Sequence, residues 1–234
     1  MEVVLNMNAS ERFHAIAEFK SFDRLPIIEW ANWWDKTLER WRTEKLPPSI
    51  TDRYEISRHF GLDVYYHHWV PLATGPLPRP LSAHDETLVR DDADYESLLP
   101  LLYPRDPAVL ANPDYMKMIG SAQRVNGDVF WFNLEGFFWF PRRLLGIERH
   151  LYSFYDQPEL VHRINADLAE CHIRAIDAVC EHCQPDFMTF SEDLSYNNGP
   201  MLSKAHFDEF LLPYYLKVIP HLKERGIKDR KSVV

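Results

Sequence analysis

The chain has 234 residues, of which 46% are apolar and 26% charged, with a net charge of -9. That length supports one large domain with a sizeable core, and the composition excludes a disordered chain. The negative balance excludes a nucleic-acid partner, because binders of phosphate backbones concentrate positive charge. No apolar run is long enough to span a bilayer, so no membrane partner is expected. Residues 1–10 lack the basic and apolar regions of a signal peptide. Three cysteines, an odd count without secretory features, suggest reduced thiols and a cytoplasmic location.

Residues 10–20 predict a first helix, with Ser10 as cap and Phe13, Ile16 and Ala17 at helical spacing. Residues 25–30 read as a first strand ending in Glu29-Trp30. Residues 35–44 predict a helix stopped by Pro47-Pro48, and 52–60 another, with Gly61 just beyond its end. A second strand is expected over 62–69, polar at its end in His67-His68-Trp69. Residues 71–80 hold four prolines and predict an extended loop. Residues 86–90 read as one arm of a small hairpin turning at Asp91-Asp92.

From Asp106 onward helices and strands alternate. A helix is expected over 107–125 with a break at Pro113, a buried strand over 128–134 running into Glu135-Gly136, and a helix over 141–155 interrupted at Gly146. Asp156 reads as the cap of the next helix, with Glu159 reaching back. Val161, Ile164, Leu168, Ala175, Ile176 and Val179 give that helix a strong apolar stripe up to about Cys183. Residues 187–190 read as a buried strand that turns acidic at Ser191-Glu192-Asp193 and enters a loop, Asn197-Asn198-Gly199-Pro200. Ser203 caps a last helix over 203–225, broken or kinked at Pro213 and closed by Gly226. Alternating strands and helices with long crossovers argue for a parallel sheet, in a barrel or a doubly wound arrangement. Residues 228–231, Lys-Asp-Arg-Lys, are too charged for a strand that lines a core, so no strand is expected after Gly226. About four core strands then stand against the eight of a whole barrel. The expectation is that the chain is the first half to two-thirds of a longer protein. Residues 1–227 would form a partial barrel domain, and 228–234 a charged, non-native tail.

Several stretches together resemble the uroporphyrinogen decarboxylase family, in particular its divergent members related to corrinoid-dependent methyltransferases. They are Glu11-Arg12-Phe13, Phe22-Asp23-Arg24-Leu25-Pro26 and Phe60-Gly61-Leu62-Asp63 in the first part of the chain. Later come Leu134-Glu135-Gly136, Leu144-Leu145-Gly146 and Tyr155-Asp156-Gln157-Pro158-Glu159. The last are Glu192-Asp193, Asn198-Gly199-Pro200 and Phe210-Leu211-Leu212-Pro213-Tyr214-Tyr215. The resemblance covers nearly the whole chain to Ile227. It implies an α/β fold, a (β/α)8 TIM barrel of the uroporphyrinogen decarboxylase type, present here incompletely, with a cleft at the carboxyl ends of its strands. It implies a tetrapyrrole-like small-molecule substrate, no cofactor for the decarboxylases, and a corrinoid protein as partner on the methyltransferase side. A homodimer is also expected. Zinc, which the methyltransferases bind through a histidine and cysteines later in the barrel, is expected only with the region after Val234. The arginine-rich loop of the decarboxylases is replaced here by Glu29-Trp30-Ala31-Asn32-Trp33-Trp34. The main reading is an enzyme acting on a porphyrinogen or a related methyl carrier, its alternatives a corrinoid-dependent methyltransferase and a non-catalytic tetrapyrrole-binding module.

In a barrel the strand ends deliver Glu29, one of His67 and His68, Asn133, Glu135, Glu192 and Asp193 to one mouth. Carboxylates beside aromatic side chains gain raised pKa values and can act as acids or bases. Glu192, Asp193 and Glu29 are therefore the candidate catalytic residues. Trp30, Trp33, His67, Asn133, Glu135, Tyr196 and Asn198 are the candidates for substrate binding. Arg142 and Arg143 are weaker candidates for meeting substrate carboxylates. Cys180-Glu-His-Cys183 lacks the second ligand pair of a zinc knuckle, and buried thiols are the better account of it.

Overall fold

A computed structural model describes residues 6–78, 81 and 87–233, with the backbone alone considered for 228–233. In chain order the elements are α1 (Ala9–Ala17), α2 (Asp35–Glu44), α3 (Arg53–His59), β1 (Tyr65–Trp69), α4 (Asp92–Leu98), α5 (Pro107–Leu110), α6 (Pro113–Asn126) and β2 (Val129–Glu135). They continue with α7 (Trp139–Leu145), α8 (Ile147–Asp156), α9 (Pro158–Cys180), β3 (Phe187–Glu192), the two-residue strands β4 (Ser195–Tyr196) and β5 (Gly199–Pro200), α10 (Lys204–His206), α11 (Leu212–Glu224) and β6 (Lys228–Val233). Four strands form one sheet in the order β1-β2-β3-β6, and β3 pairs in parallel with β6 from Phe187↔Lys228 to Glu192↔Val233. The fold is mixed α/β with a parallel sheet.

Two compact units divide the chain, Met1–His68 with Lys117–Trp131, and Trp69–Met116 with Phe132–Val234. The first unit is organised by charge. Arg12 is 3% exposed. It donates to both carboxylate oxygens of Asp23 (2.7 and 2.6 Å) and to Asp63 (2.7 Å). Arg24 grips Asp63 with both guanidinium nitrogens at 2.6 and 2.9 Å, and the Ile27 amide adds a third bond at 2.9 Å. The hydrogen bond from Arg12 holds the Asp23 carboxyl well below its usual range. The family-like stretches at 11–13, 22–26 and 60–63 thus meet in one ion network. A second pair joins Arg58 to Asp128.

The second unit is organised by apolar packing. Phe132 and Leu134 of β2, Phe137, Phe138 and Phe140 after it, and Leu168, Ile176 and Val179 of α9 are wholly buried. Each such side chain contributes about 1.5–3 kcal/mol relative to exposure. The expected stripe on α9 is therefore its buried face. Gly146, at φ 75°, separates α7 from α8 as expected, because only glycine enters that region without strain. The break at Pro113 is also found, between α5 and α6.

Several expectations are corrected. Residues 25–30 form no strand: Leu25 and Trp30 are more than 60% exposed, and Ile27 bonds to Asp63 rather than to a strand ladder. Asn8, not Ser10, caps α1, in a capping box with Glu11. Asp156 lies inside α8 and caps nothing; the cap of α9 is Gln157, without a side-chain bond. Asp91 caps α4 through the Asp94 amide, so this segment is a helix start rather than a hairpin turn. Of the expected hairpin arm, Thr87–Arg90 carry no strand and Glu86 lies outside the described residues. The backbone of Lys228–Val233 is a strand after all, because the parallel ladder with β3 satisfies its amides whatever its side chains carry. The interruption expected near Pro213 is present, as a π-helical segment, Phe207–Leu211, directly before α11.

Candidate active site

Of the expected residues, the structure brings Asn133, Glu135, Glu192 and Asp193 together at the carboxyl ends of β2 and β3, inside the second unit. Glu192 is 6% exposed. Its carboxylate accepts from the Phe138 amide (3.1 Å), the Trp139 amide (3.0 Å) and, in a short contact, the Tyr215 hydroxyl. The two amides open α7 and have no partner within the helix, so the carboxylate both satisfies and charge-matches that end. Gly136 makes this approach feasible, since a Cβ there would lie 1.9 Å from the Glu192 carboxyl carbon. Burial, then the adjacent Glu192, push the Tyr215 hydroxyl well above its ordinary pKa and keep it a donor. Glu192 therefore locks α7 and α11 to β3.

Asp193 faces outward and accepts from Arg142 at 2.9 Å. Arg142 also lies over the Trp139 ring, 5.1 Å from its centroid. Arg143 donates to Glu135 at 2.6 Å. Both arginines are thus engaged by the site's own carboxylates. Burial raises the Glu135 carboxyl, against the opposing pull of Arg143. Its second oxygen is buried without a hydrogen-bond partner. His172 bonds the Glu135 carbonyl at 2.8 Å through Nε2. A carbonyl only accepts, so Nε2 carries the proton and Nδ1 is a bare lone pair, buried and unpartnered. Burial lowers His172 to about 4. Asn133 donates to Thr189 Oγ1 (2.8 Å) and Ser191 Oγ (3.0 Å), across to β3. This corner groups the Glu135 carboxylate paired to Arg143, the buried His172 imidazole and the Asn133 amide, residue types that can hold or move a proton.

The remaining candidates are placed otherwise. Tyr196 is exposed in the small β4–β5 hairpin, and Asn198 in its turn is exposed as well. In the first unit, Glu29 accepts from the Ala31 amide at 3.0 Å, closing a local turn outside any strand. Trp30 is 62% exposed, and Trp33 packs edge-on against Trp41 with centroids 5.0 Å apart. His67 stacks on Trp131 at 3.9 Å. Cys180 and Cys183 are free, and burial pushes both thiols up, to about 11 and about 12. Among the described residues no group of three or more His, Cys, Asp or Glu side chains could hold a metal ion. The donor set for zinc is not found among them. Nor is any helix among them long and apolar enough to cross a membrane. Sequence reading missed His172, His150 and Tyr215. The first two are lone histidines on helices, and Tyr215 sits in a Pro-Tyr-Tyr run, with no spacing signal to mark any of them.

No protein-family model and no curated protein matches the chain. A solved structure does: a methyltransferase from Methanosarcina mazei, with 14% identity and a TM-score of 0.59, over 98% of this chain and 70% of that one. At that identity the likeness shows the shared fold.

Proposed function

We propose that the chain provides the early part of a (β/α)8 barrel of the corrinoid-dependent methyltransferase type, on the methyltransferase side of the family it resembles. The observation that carries this reading is the fold likeness to a methyltransferase over nearly the whole chain. Charge supports a corrinoid over a porphyrinogen. Uroporphyrinogen bears many carboxylates and calls for unpaired arginines, whereas Arg142 and Arg143 are already bound to Asp193 and Glu135. A corrinoid's amide-rich rim suits hydrogen-bonding and aromatic groups better than a field of cations. Glu135, Asn133 and Asp193 are the residues proposed to contact the substrate. Glu192, spent on the α7 amides and Tyr215, is proposed as the group that positions them. The described residues offer no ligand set for zinc.

The test is equilibrium dialysis of the chain against methylcobalamin and, separately and anaerobically, against uroporphyrinogen, followed by assay of each for turnover. Saturable retention of methylcobalamin, with uroporphyrinogen neither retained nor decarboxylated, is expected. Release of carbon dioxide from uroporphyrinogen, or failure to retain methylcobalamin, would overturn the reading.

A further inference from the structure

A polar cavity lies in the Trp69–Met116, Phe132–Val234 unit, bounded by the turn after α4 and one side of α9. It has a volume of about 290 Å³, and three arginines line it: Arg105, Arg163 and Arg174, with Tyr103, Asp167 and Glu170. Its two carboxylates are already engaged. Asp167 accepts the Tyr95 hydroxyl at 2.8 Å, and Glu170 is paired with Lys217. Arg163 is held by Glu96 at 2.6 Å. Arg105 and Arg174 have no carboxylate partner among the described residues. Arg174 is half-buried, and its Nε–H is buried without an acceptor.

The backbone beside it is strained. Tyr103 stands at φ 55°, a left-handed conformation that a bulky side chain rarely adopts. That twist is held by the Tyr103 amide bonding Leu72 O at 2.9 Å and by the ring packed against Phe140. The Tyr103 carbonyl in turn accepts from Arg174 Nη2 at 3.4 Å. A long contact from one guanidinium nitrogen orients the fork, and the buried Nε–H remains without an acceptor. Three guanidinium groups against two carboxylates leave this cavity with a net positive lining, which suits a compact oxyanion.

We propose that Arg105 and Arg174 form a binding site for a phosphate-class oxyanion in this cavity, separate from the groups at the ends of β2 and β3. The ligand is inorganic phosphate or the phosphoryl end of a small phosphomonoester. The guanidinium groups bind it without chemistry.

The test is isothermal titration calorimetry on the whole chain in low-chloride buffer, with inorganic phosphate and glycerol phosphate as titrants. Wild type, Arg105→Gln and Arg174→Gln are compared, with Lys36→Gln, which does not line the cavity, as a control, after checking each by circular dichroism and melting temperature. One-site binding of at least one titrant is expected, about tenfold weaker in each arginine variant and unchanged in the control. Stronger binding of glycerol phosphate would assign the site to phosphomonoesters, and equal or weaker binding to the free anion. Arg105 is exposed, so its variant tests the proposal even if Arg174→Gln does not fold. The proposal fails if neither titrant binds, or if both arginine variants bind as wild type does.

Discussion

Two polar clusters in this chain differ in how completely their charges are spent. In the first unit, Arg12, Arg24, Asp23 and Asp63 saturate one another, with every carboxylate oxygen bonded. In the second unit, the corner at β2 keeps loose ends: the second oxygen of Glu135 and Nδ1 of His172 are buried with no partner, and nearby His150 has both ring nitrogens in that condition. A saturated buried network contributes to holding a fold, and removing one member strands the others. An unsaturated one costs stability, and such costs persist mainly where function needs the group. The same contrast separates Glu192, fully bonded, from Glu135 within the candidate site itself.

The largest expected effect comes from breaking the saturated side. Arg12→Ala leaves Asp23 and Asp63 without their buried cation and is expected to destabilise the chain by about 3–5 kcal/mol, read from urea unfolding. A result within 0.5 kcal/mol of wild type, on the order of a neutral surface change, would remove the distinction between the clusters. Next is Gly136→Ala, which drives a methyl group into the Glu192 carboxylate. A loss of about 1–3 kcal/mol is expected, together with loss of the Glu192 contacts to α7.

A smaller effect is graded by pH. Burial lowers His150 to about 3, with the Arg142 charge adding to it, and burial lowers His172 to about 4. The unfolded chain protonates each imidazole near pH 6.5 or about that value, whereas the folded chain does so only near those lower values. Stability from these groups is therefore full above about pH 6.5 and falls as the pH drops, by up to about 1.4 kcal/mol per pH unit for each histidine. His150→Leu is expected to remove one histidine's share of that slope and to raise stability at pH 5, because a buried unpaired polar ring is replaced by an apolar side chain. Urea midpoints between pH 4.5 and pH 7, or roughly that span, check it. An unchanged slope would contradict the assignment.

The fold was legible where local chemistry and tertiary packing agree. The α9 stripe, the breaks at Pro113 and Gly146, the strand at 187–190 and the Ser203 cap, which bonds the His206 amide, all follow from periodicity and from proline and glycine geometry. It failed where a partner outside the local window decides. Residues 25–30 have strand composition, but their long-range hydrogen bonds tie Ile27 to Asp63 and the Trp30 carbonyl to the Arg53 side chain rather than to a strand ladder. Lys228–Val233 reads as a charged tail because composition reports side chains, and a parallel ladder is made by backbone. At the site, the acids were legible as strand-end residues, but their roles were not. What separates Glu192 from Glu135 is three donors in one case and an orphaned oxygen in the other. Those donors come from Phe138, Trp139 and Tyr215, positions no spacing rule ties to residue 192.

The most direct test of the contrast is Glu135→Gln, with unfolding free energy and methylcobalamin retention measured on the same preparation. The amide keeps the shape of the side chain, and only one oxygen of Glu135 is bonded. The expected result is stability within about 1 kcal/mol of wild type, with methylcobalamin retention weakened by about tenfold or more. Destabilisation comparable to that of Arg12→Ala, with retention intact, would contradict it and make Glu135 a structural residue like Glu192.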